Sequence, residues 1–285
     1  MIKDCIMKII ADSSASRTEW ALVDGASVVE HAFTKGLNPF FQTRRDISHS
    51  IRLDLPEAFL KRRWEHIYFY GAGCIGQEKK KIVESSLIAQ FKSPVTVESD
   101  LLGAARGLLV TEPGLACILG SGSNSCYYDG KEVVKNVRSL GFVLGDEGSA
   151  SYMGKLFVGD CLKNIAPENL RNAFYEYIKQ TPDEIMYSIY NNNLPGNTLS
   201  VYSRFLQDKL DIDYVYNLVY TSIDAFFTRN VVQYDYAGKT VCFVGSNACA
   251  YSDVLVEVAR KYGITIHKIL PSSMPGLVKY HSIKG

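Results

Sequence analysis

One short pattern occurs twice in this chain, and it restricts the fold more than any other feature. An apolar run at residues 5–11 leads into a loop of small residues, a second apolar run at 19–23, an Asp24-Gly25 turn and an alternating run at 27–33. From Leu115 the order repeats: an apolar run at 115–119, a Gly/Ser loop at 120–123, a run at 125–128, an Asp129-Gly130 turn and a run at 132–137. Short apolar or alternating runs bounded by Gly, Ser and Asp read as strands, and Asp-Gly between two of them is a strong hairpin signal. Repetition of a whole supersecondary unit is the mark of an internal duplication.

The elements after each meander extend the parallel. Behind the first come a helical stretch at about 43–63 broken by Pro56, a strand at 66–70 closed by Gly71-Ala72-Gly73, a helix at 77–91, a strand at 94–97 and a helix at 101–110. Behind the second come a mainly helical segment at 148–236 with a loop at 191–197, and a strand at 239–244 ending in Gly245-Ser246. A helix to about Tyr262, a strand at 264–269 and a closing helix at 276–283 complete the chain. Two meanders, each extended by strand–helix units, predict an α/β protein of two similar lobes, with mixed sheets flanked by helices and a cleft between them. No Pro, Gly or Ser-rich linker separates the halves, so the boundary is expected as a tight hinge near 110–113. The expected lobes are 1–110 and 111–271, with the helix near 272–285 packing back on the first.

A chain of 285 residues is long enough to bury two cores of this size. Its 31 basic and 30 acidic residues balance, which argues against nucleic acid or an anionic membrane as a partner. Seven cysteines are scattered without a Cys-x-x-Cys pair, so zinc, iron–sulfur and disulfide-framework readings lack their spacing. Reduced thiols in the cytoplasm are the expectation. Lys3, Asp4 and Lys8 interrupt any signal-peptide core, and no run approaches the ~20 apolar residues that cross a bilayer.

Five loops can carry chemistry. Asp12-Ser13-Ser14-Ala15-Ser16-Arg17-Thr18 offers backbone amides and hydroxyls to phosphate, and its strand-end carboxylate suits a water-bound Mg²⁺; a plain hairpin loop uses the same residues. Gly120-Ser121-Gly122-Ser123-Asn124 stands at the equivalent place in the second repeat, and together the two loops would form a phosphate clamp. Asp100 opens a helix after a strand, where it can serve as a general base or simply as an N-cap. Gly141-Phe142-Val143-Leu144-Gly145-Asp146-Glu147-Gly148-Ser149 places acids among glycines, able to accept bonds from neighbouring sugar hydroxyls or to cap the next helix. Val244-Gly245-Ser246-Asn247-Ala248 takes a strand into a helix, and its glycine can admit an adenosine or a plain turn.

In this order, Asp-x-x-x-Ser-x-Thr at 12–18, Gly-Ser-Gly-Ser-Asn at 120–124, Gly-Asp-Glu-Gly-Ser at 145–149 and Val-Gly-Ser at 244–246 make the chain resemble N-acetylglucosamine kinases. More broadly it is similar to the BadF/BadG/BcrA/BcrD ATPases of the sugar kinase, heat-shock protein and actin superfamily, through most of its length. The resemblance implies the two-lobed ribonuclease H-like, actin/hexokinase-type fold and ATP- and Mg²⁺-dependent phosphorylation of the primary hydroxyl of an amino sugar, N-acetylglucosamine first. It implies phosphate contacts from Ser13, Ser14, Ser16, Arg17, Thr18, Gly120, Ser121, Gly122 and Ser123, and a nucleotide turn at Gly245, Ser246, Ala248 and Cys249. Asn38, Asp100, Asn124, Ser139, Leu140, Gly141 and Asp146 match sugar contacts, Asp100 matches the base, and Asp12 would hold the metal through water. Sugar and ATP are the expected partners, with a homodimer left open.

The chain departs from the family at Ser13-Ser14-Ala15, where glycines are usual. Each added Cβ restricts φ and crowds phosphate, so weakened ATP binding is expected, relieved by Ser14→Gly. Two other functions stay open: a non-catalytic amino-sugar or nucleotide sensor, and an ATPase that activates a partner enzyme. The latter uses closely spaced cluster-binding cysteines, which this sequence lacks.

Overall fold

The computed structural model describes residues 7–61, 63–192 and 194–284. The charged N-terminus and the start of the first predicted strand at Cys5 and Ile6 lie outside the described residues, as do Arg62 and Asn193. Ten strands are described: β1 Met7–Ser13, β2 Arg17–Asp24, β3 Ser27–Lys35, β4 Ile67–Gly71, β5 Val95–Ser99, β6 Gly114–Leu119, β7 Ser123–Tyr128, β8 Val133–Val137, β9 Val241–Val244 and β10 Ile266–Leu270. They form two five-stranded sheets of order β3-β2-β1-β4-β5 and β8-β7-β6-β9-β10. Each sheet runs from the last strand of a meander, through its first, to two later strands, so the duplication read from the sequence is repeated in the strand order. β1 pairs antiparallel with β2 and parallel with β4, and β4 pairs parallel with β5, so the first sheet is mixed.

The chain divides into two compact units. The first holds the chain up to Pro113, Tyr128–Val133 and the segment from Ser272 onward; the second holds Gly114–Tyr127 and Val134–Pro271.

In the first unit, strand alternation serves two cores. Ile9, Ala11, Trp20, Leu22 and Phe69 pack on one face of the sheet with Val83 and Leu87, while Ile10, Ala21, Val23 and Tyr70 pack on the other with Met274, Leu277 and Val278. Inner strands covered on both faces read as unbroken apolar runs, which is why β1 and β4 stand out in the sequence. Asp24 pairs with Ser27, so the hairpin loop is Gly25-Ala26, and Gly25 takes φ +58° at its first position. The predicted helical stretch at 43–63 stops before Pro56: a Thr43/Asp46 capping box starts Arg44–Asp54, and a single turn follows at Glu57–Leu60.

Two helices cover the β4 side of the first unit, Asp100–Leu109 and Met274–Lys284. They touch through glycines: a Cβ on Gly276 would lie 1.7 Å from the Gly107 carbonyl oxygen. Between them runs a buried polar chain. Arg106 Nη1 donates to the Tyr70 hydroxyl at 3.0 Å, and that hydroxyl is hydrogen-bonded to His281 Nε2 at 2.9 Å. Burial lowers His281 to about 3, with Arg106 adding to the shift, so its ring is neutral at this position.

The second unit is built on Leu115, Cys117 and Leu119 of β6 and Phe243 of β9, packed with Phe157, Phe174, Phe226 and Phe227 from helices Ala150–Leu162, Glu168–Ile178 and Asp213–Arg229. Two sequence readings change here. Pro195 begins a helix rather than lying in the predicted loop, because proline's fixed φ suits the first helical turn. The helix predicted up to Tyr262 is two, Ser246–Ala250 and Ser252–Lys261, interrupted at the buried Tyr251 (φ −118°, ψ 33°). Among the described residues no helix is long and apolar enough to cross a membrane.

Candidate active site

In the first unit the candidate residues collect at the carboxyl ends of parallel strands. Ser13 of β1 pairs in register with Gly71 of β4, which pairs with Ser99 of β5. The loop at 14–16, the turn at 72–73 and Asp100 therefore leave the sheet side by side, at the edge where open α/β sheets bind ligands.

The first loop is a tight turn. The Ser14 amide donates to the Arg17 carbonyl at 2.9 Å; Ser14 Oγ also donates to that carbonyl (3.0 Å) and accepts from the Arg17 amide (3.2 Å). Ser14, Ser16 and Arg17 are exposed, and the Arg17 guanidinium lies 4.5 Å from the centre of the Phe33 ring. Ser13 and Thr18 are a correction to the predicted phosphate contacts. Both are fully buried; their hydroxyls bond each other at 2.7 Å, Ser13 Oγ accepts the Leu37 amide at 2.9 Å, and Thr18 Oγ1 donates to the Lys35 carbonyl at 3.0 Å. They brace the loop rather than face a ligand.

The structure also revises the steric argument about missing glycines. None of Ser14, Ala15 and Ser16 has a positive φ, so no glycine is needed for their conformation. The room is made from below, at Gly36, where a Cβ would stand 2.5 Å from the Ser14 carbonyl oxygen and 2.6 Å from that of Ala15. Ser14→Gly is therefore expected to loosen a closed turn, removing the bonds of the Ser14 hydroxyl and adding backbone freedom. We expect ATP affinity in calorimetry to fall by a few-fold, roughly 1 kcal/mol for the bonds lost; a rise would restore the steric reading.

Asp100 is the first residue of its helix, and Ser99, not Asp100, is the N-cap, with its hydroxyl accepting the Leu102 amide at 3.2 Å. The capping role is filled, and the Asp100 carboxylate accepts the adjacent Leu101 amide at 2.9 Å. Burial pushes Asp100 up to about 6, against the pull of the Leu101 amide and of its own amide. Asp12 lies in the same field. Burial pushes it up to about 7, the Ser273 hydroxyl pulls it down, and the Asp100 and Glu19 carboxylates push it up again, with Arg17 opposing. Glu19 is the register partner of Asp12 across β1–β2, and it pairs with His31 Nε2 at 2.8 Å. Asn38 orders the turn that follows β3: Oδ1 accepts the Phe40 amide at 3.0 Å and lies where a Cβ on Gly73 would be, 2.3 Å away.

In the second unit the loop after β6 is held by the next helix. The amides of Ala150 and Ser151 donate to the carbonyls of Gly120 (2.9 Å) and Ser121 (3.1 Å). In a trans peptide the carbonyl and the following amide point opposite ways, so the Ser121 and Gly122 amides face away from that helix. Asp146, at φ +57°, puts its carboxylate on this same loop: Oδ1 is 3.4 Å from the Ser123 amide, and a Cβ on Gly122 would be 3.1 Å from Oδ2. The Asp146 amide donates to Ser139, whose backbone also lies against Gly145. Leu140 and Gly141 both have positive φ, and Leu140 is exposed. Asn124 Oδ1 accepts from the Ser125 amide and from Asn136 Nδ2, each at 2.9 Å.

Gly245 has φ +127°, and a Cβ there would stand 2.3 Å from the Leu119 carbonyl oxygen, so this turn is open to glycine alone. Ser246 is exposed and Cys249 partly so, while Ala248 is buried in the unit's core. Sequence reasoning assigned Asn247 no role of its own within that loop, yet its buried Nδ2 donates to the Gly148 carbonyl at 2.8 Å and ties the turn to the acidic loop. It also passed over Gly36, Ser99, Ser272 and Ser273. Serines directly before a helix, as at 98–100 and 271–274, were the available signal.

Among solved structures, a protein from Porphyromonas gingivalis assigned as an N-acetylglucosamine kinase is 38% identical, with 97% of this chain and 99% of that one covered and a TM-score of 0.92. A protein from Chromobacterium violaceum with the same assignment is 15% identical, covers 96% and 98% of the two chains, and has a TM-score of 0.73. A ROK family glucokinase from Streptomyces griseus, in complex with glucose and AMPPNP, is 14% identical, covers 98% and 100%, and has a TM-score of 0.60. The last two share the fold. No protein-family model and no curated protein matches the chain.

Proposed function

The chain belongs to the N-acetylglucosamine kinase-like family of the sugar kinase, heat-shock protein and actin superfamily, and from that premise we propose that it phosphorylates the primary hydroxyl of an amino sugar with ATP. The first substrate to expect is N-acetylglucosamine, giving the 6-phosphate. The observation that carries this reading is Asp100: a carboxylate at a strand-end edge, relieved of capping by Ser99 and raised only to about 6, ionised and able to accept a proton at neutral pH.

Phosphoryl transfer rests mainly on positioning and charge neutralisation. Asp100 takes the proton from the sugar hydroxyl as it attacks the γ-phosphorus; the γ-phosphoryl moves to that oxygen and ADP leaves. In the first unit Ser14, Ser16 and Arg17 serve as phosphate contacts; in the second, the amides of Ser121 and Gly122 do so, and the turn at Gly245 takes the nucleoside. Asn38, Asn124, Asp146 and residues 139–141 recognise the sugar. Asp12 suits a hydrated Mg²⁺: among the described residues no group of three His, Cys, Asp or Glu can cage a metal, and Mg²⁺ commonly keeps its waters and binds one carboxylate plus phosphates. The clustering of Asp12 with Asp100 and Glu19 fits this, because burial first and the neighbouring carboxylates second raise Asp12, and a cation offsets both. When bound, the metal would neutralise charge on the β- and γ-phosphates.

Because the Asp146 carboxylate lies on Gly122 and Ser123, Asp146→Ala should weaken both ligands, where sugar contact alone would spare ATP. We expect sugar binding to fall by ~2–5 kcal/mol, as hydroxyls lose a charged acceptor, with a smaller loss for ATP. Calorimetry with each ligand checks this; unchanged sugar affinity contradicts it. The function itself is tested by coupled ATP consumption across a panel of amino sugars and hexoses. Consumption only in the presence of an amino sugar supports the kinase. Inertness with all sugars, with sugar binding retained, supports a sensor.

A further inference from the structure

The segment that enters the last helix of the first unit presents two adjacent hydroxyls to two paired carboxylates. Ser273 is buried and donates to Asp12 Oδ2; Ser272 donates to Glu19 Oε2 at 2.6 Å and accepts the Met274 amide at 3.0 Å. Asp12 and Glu19 are register partners on β1 and β2, so both serines address one site on the sheet. Ser273 is itself seated. Its Cβ and carbonyl oxygen lie 2.4 Å and 2.6 Å from where a Cβ on Gly107 would be, so only glycine at 107 leaves room for it. Gly107 belongs to the helix whose first residue is Asp100.

We propose that Ser273 is a positioning residue for phosphoryl transfer, turning the Asp12 carboxylate so that Oδ2 is held and Oδ1 is presented to the hydrated cation of the nucleotide. This rests on the kinase reading of the same site. A continuous run of contacts, from Asp100 along its helix to Gly107, then Ser273, then Asp12, links the base to the carboxylate offered to the cation. Side-chain placements of this kind matter because a shift of about 1 Å in a reacting group can cost ~100-fold in rate. A carboxylate without its outer hydrogen bond samples other rotamers, and outer partners of metal-binding groups typically contribute 10–100-fold to metal affinity.

Ser273→Ala keeps the Cβ in its seat on Gly107 and removes only the hydroxyl. Two measurements decide the matter. In crystal structures of wild type and Ser273→Ala without nucleotide, the Asp12 carboxylate is expected to turn away from its wild-type orientation; an unmoved carboxylate overturns the proposal. In calorimetry, ATP affinity without Mg²⁺ is expected to match wild type, while the tightening produced by Mg²⁺ shrinks by ~10-fold or more. Equal tightening in both proteins overturns the proposal as well. If wild-type protein shows no Mg²⁺-dependent binding of ATP, the kinase reading fails, and the Asp12 orientation still decides whether Ser273 positions it.

Discussion

Asp100→Asn is expected to cut turnover by at least ~100-fold while sugar affinity changes far less, since the loss falls on a proton transfer made only in the transition state. Asparagine keeps the shape and can still accept the Leu101 amide, so the helix start at Ser99 should survive. The pH profile gives a second reading. A base must be ionised, and Asp100 lies at about 6 with Asp12 at about 7, so wild-type turnover should fall as pH drops from 7 toward 5. The two groups share one field, so the acid limb belongs to the pair. Stability should run the other way. Both carboxyls are raised in the folded state, so the fold binds protons more tightly than the unfolded chain; their contribution to stability is full below about 4 and is lost as pH rises from there through about 6 to 7. Asp100→Asn removes part of that cost, and its melting temperature at pH 7.5 should not drop. Near-normal turnover in this variant would remove Asp100 from the chemistry.

The second large effect is expected at a residue with no reactive group. Gly36→Ala would put a Cβ 2.5 Å from the Ser14 carbonyl oxygen and 2.6 Å from that of Ala15. Both neighbours are backbone, so the loop at 14–16 itself must move, by on the order of 1 Å to reach ordinary contact, and if that loop holds phosphate as proposed turnover should fall by ~100-fold. Gly25→Ala is the control. It has nothing within 4 Å but holds φ +58°, so it should cost about 1 kcal/mol of stability and leave kinetics unchanged. If Gly36→Ala turns over normally, the loop is not where phosphate is held.

These two residues also show what the sequence made legible. The duplicated meander was visible because β1, β2, β6 and β7 carry runs of buried side chains that end in Ser13 and Asp24 or are followed directly by Gly120 and Asp129. Asp100 stood out as an acid after a strand. What could not be read were relations between distant positions. Ser13 and Thr18 look like loop hydroxyls in sequence, yet each is spent on a partner brought in by β3, at Leu37 and Lys35. Conversely, Gly36 supplies the space that a glycine within the loop was expected to give, and no local pattern links it to Ser14. Ser273 reaches Asp12 from the far end of the chain, 261 residues away. Element ends also shifted: the helix that reads as continuous to Tyr262 is interrupted at the buried Tyr251, with no local signal in the sequence.

The most direct test of the account is the identity of the product. Purified protein incubated with ATP, Mg²⁺ and N-acetylglucosamine should, by ³¹P and ¹H NMR, convert the γ-phosphoryl group into a single phosphomonoester coupled to the C6 protons of the sugar, in equal amount with ADP. Omission of the sugar should leave ATP intact. Release of inorganic phosphate at the same rate with and without sugar, or a phosphoryl group on any other oxygen, would contradict it.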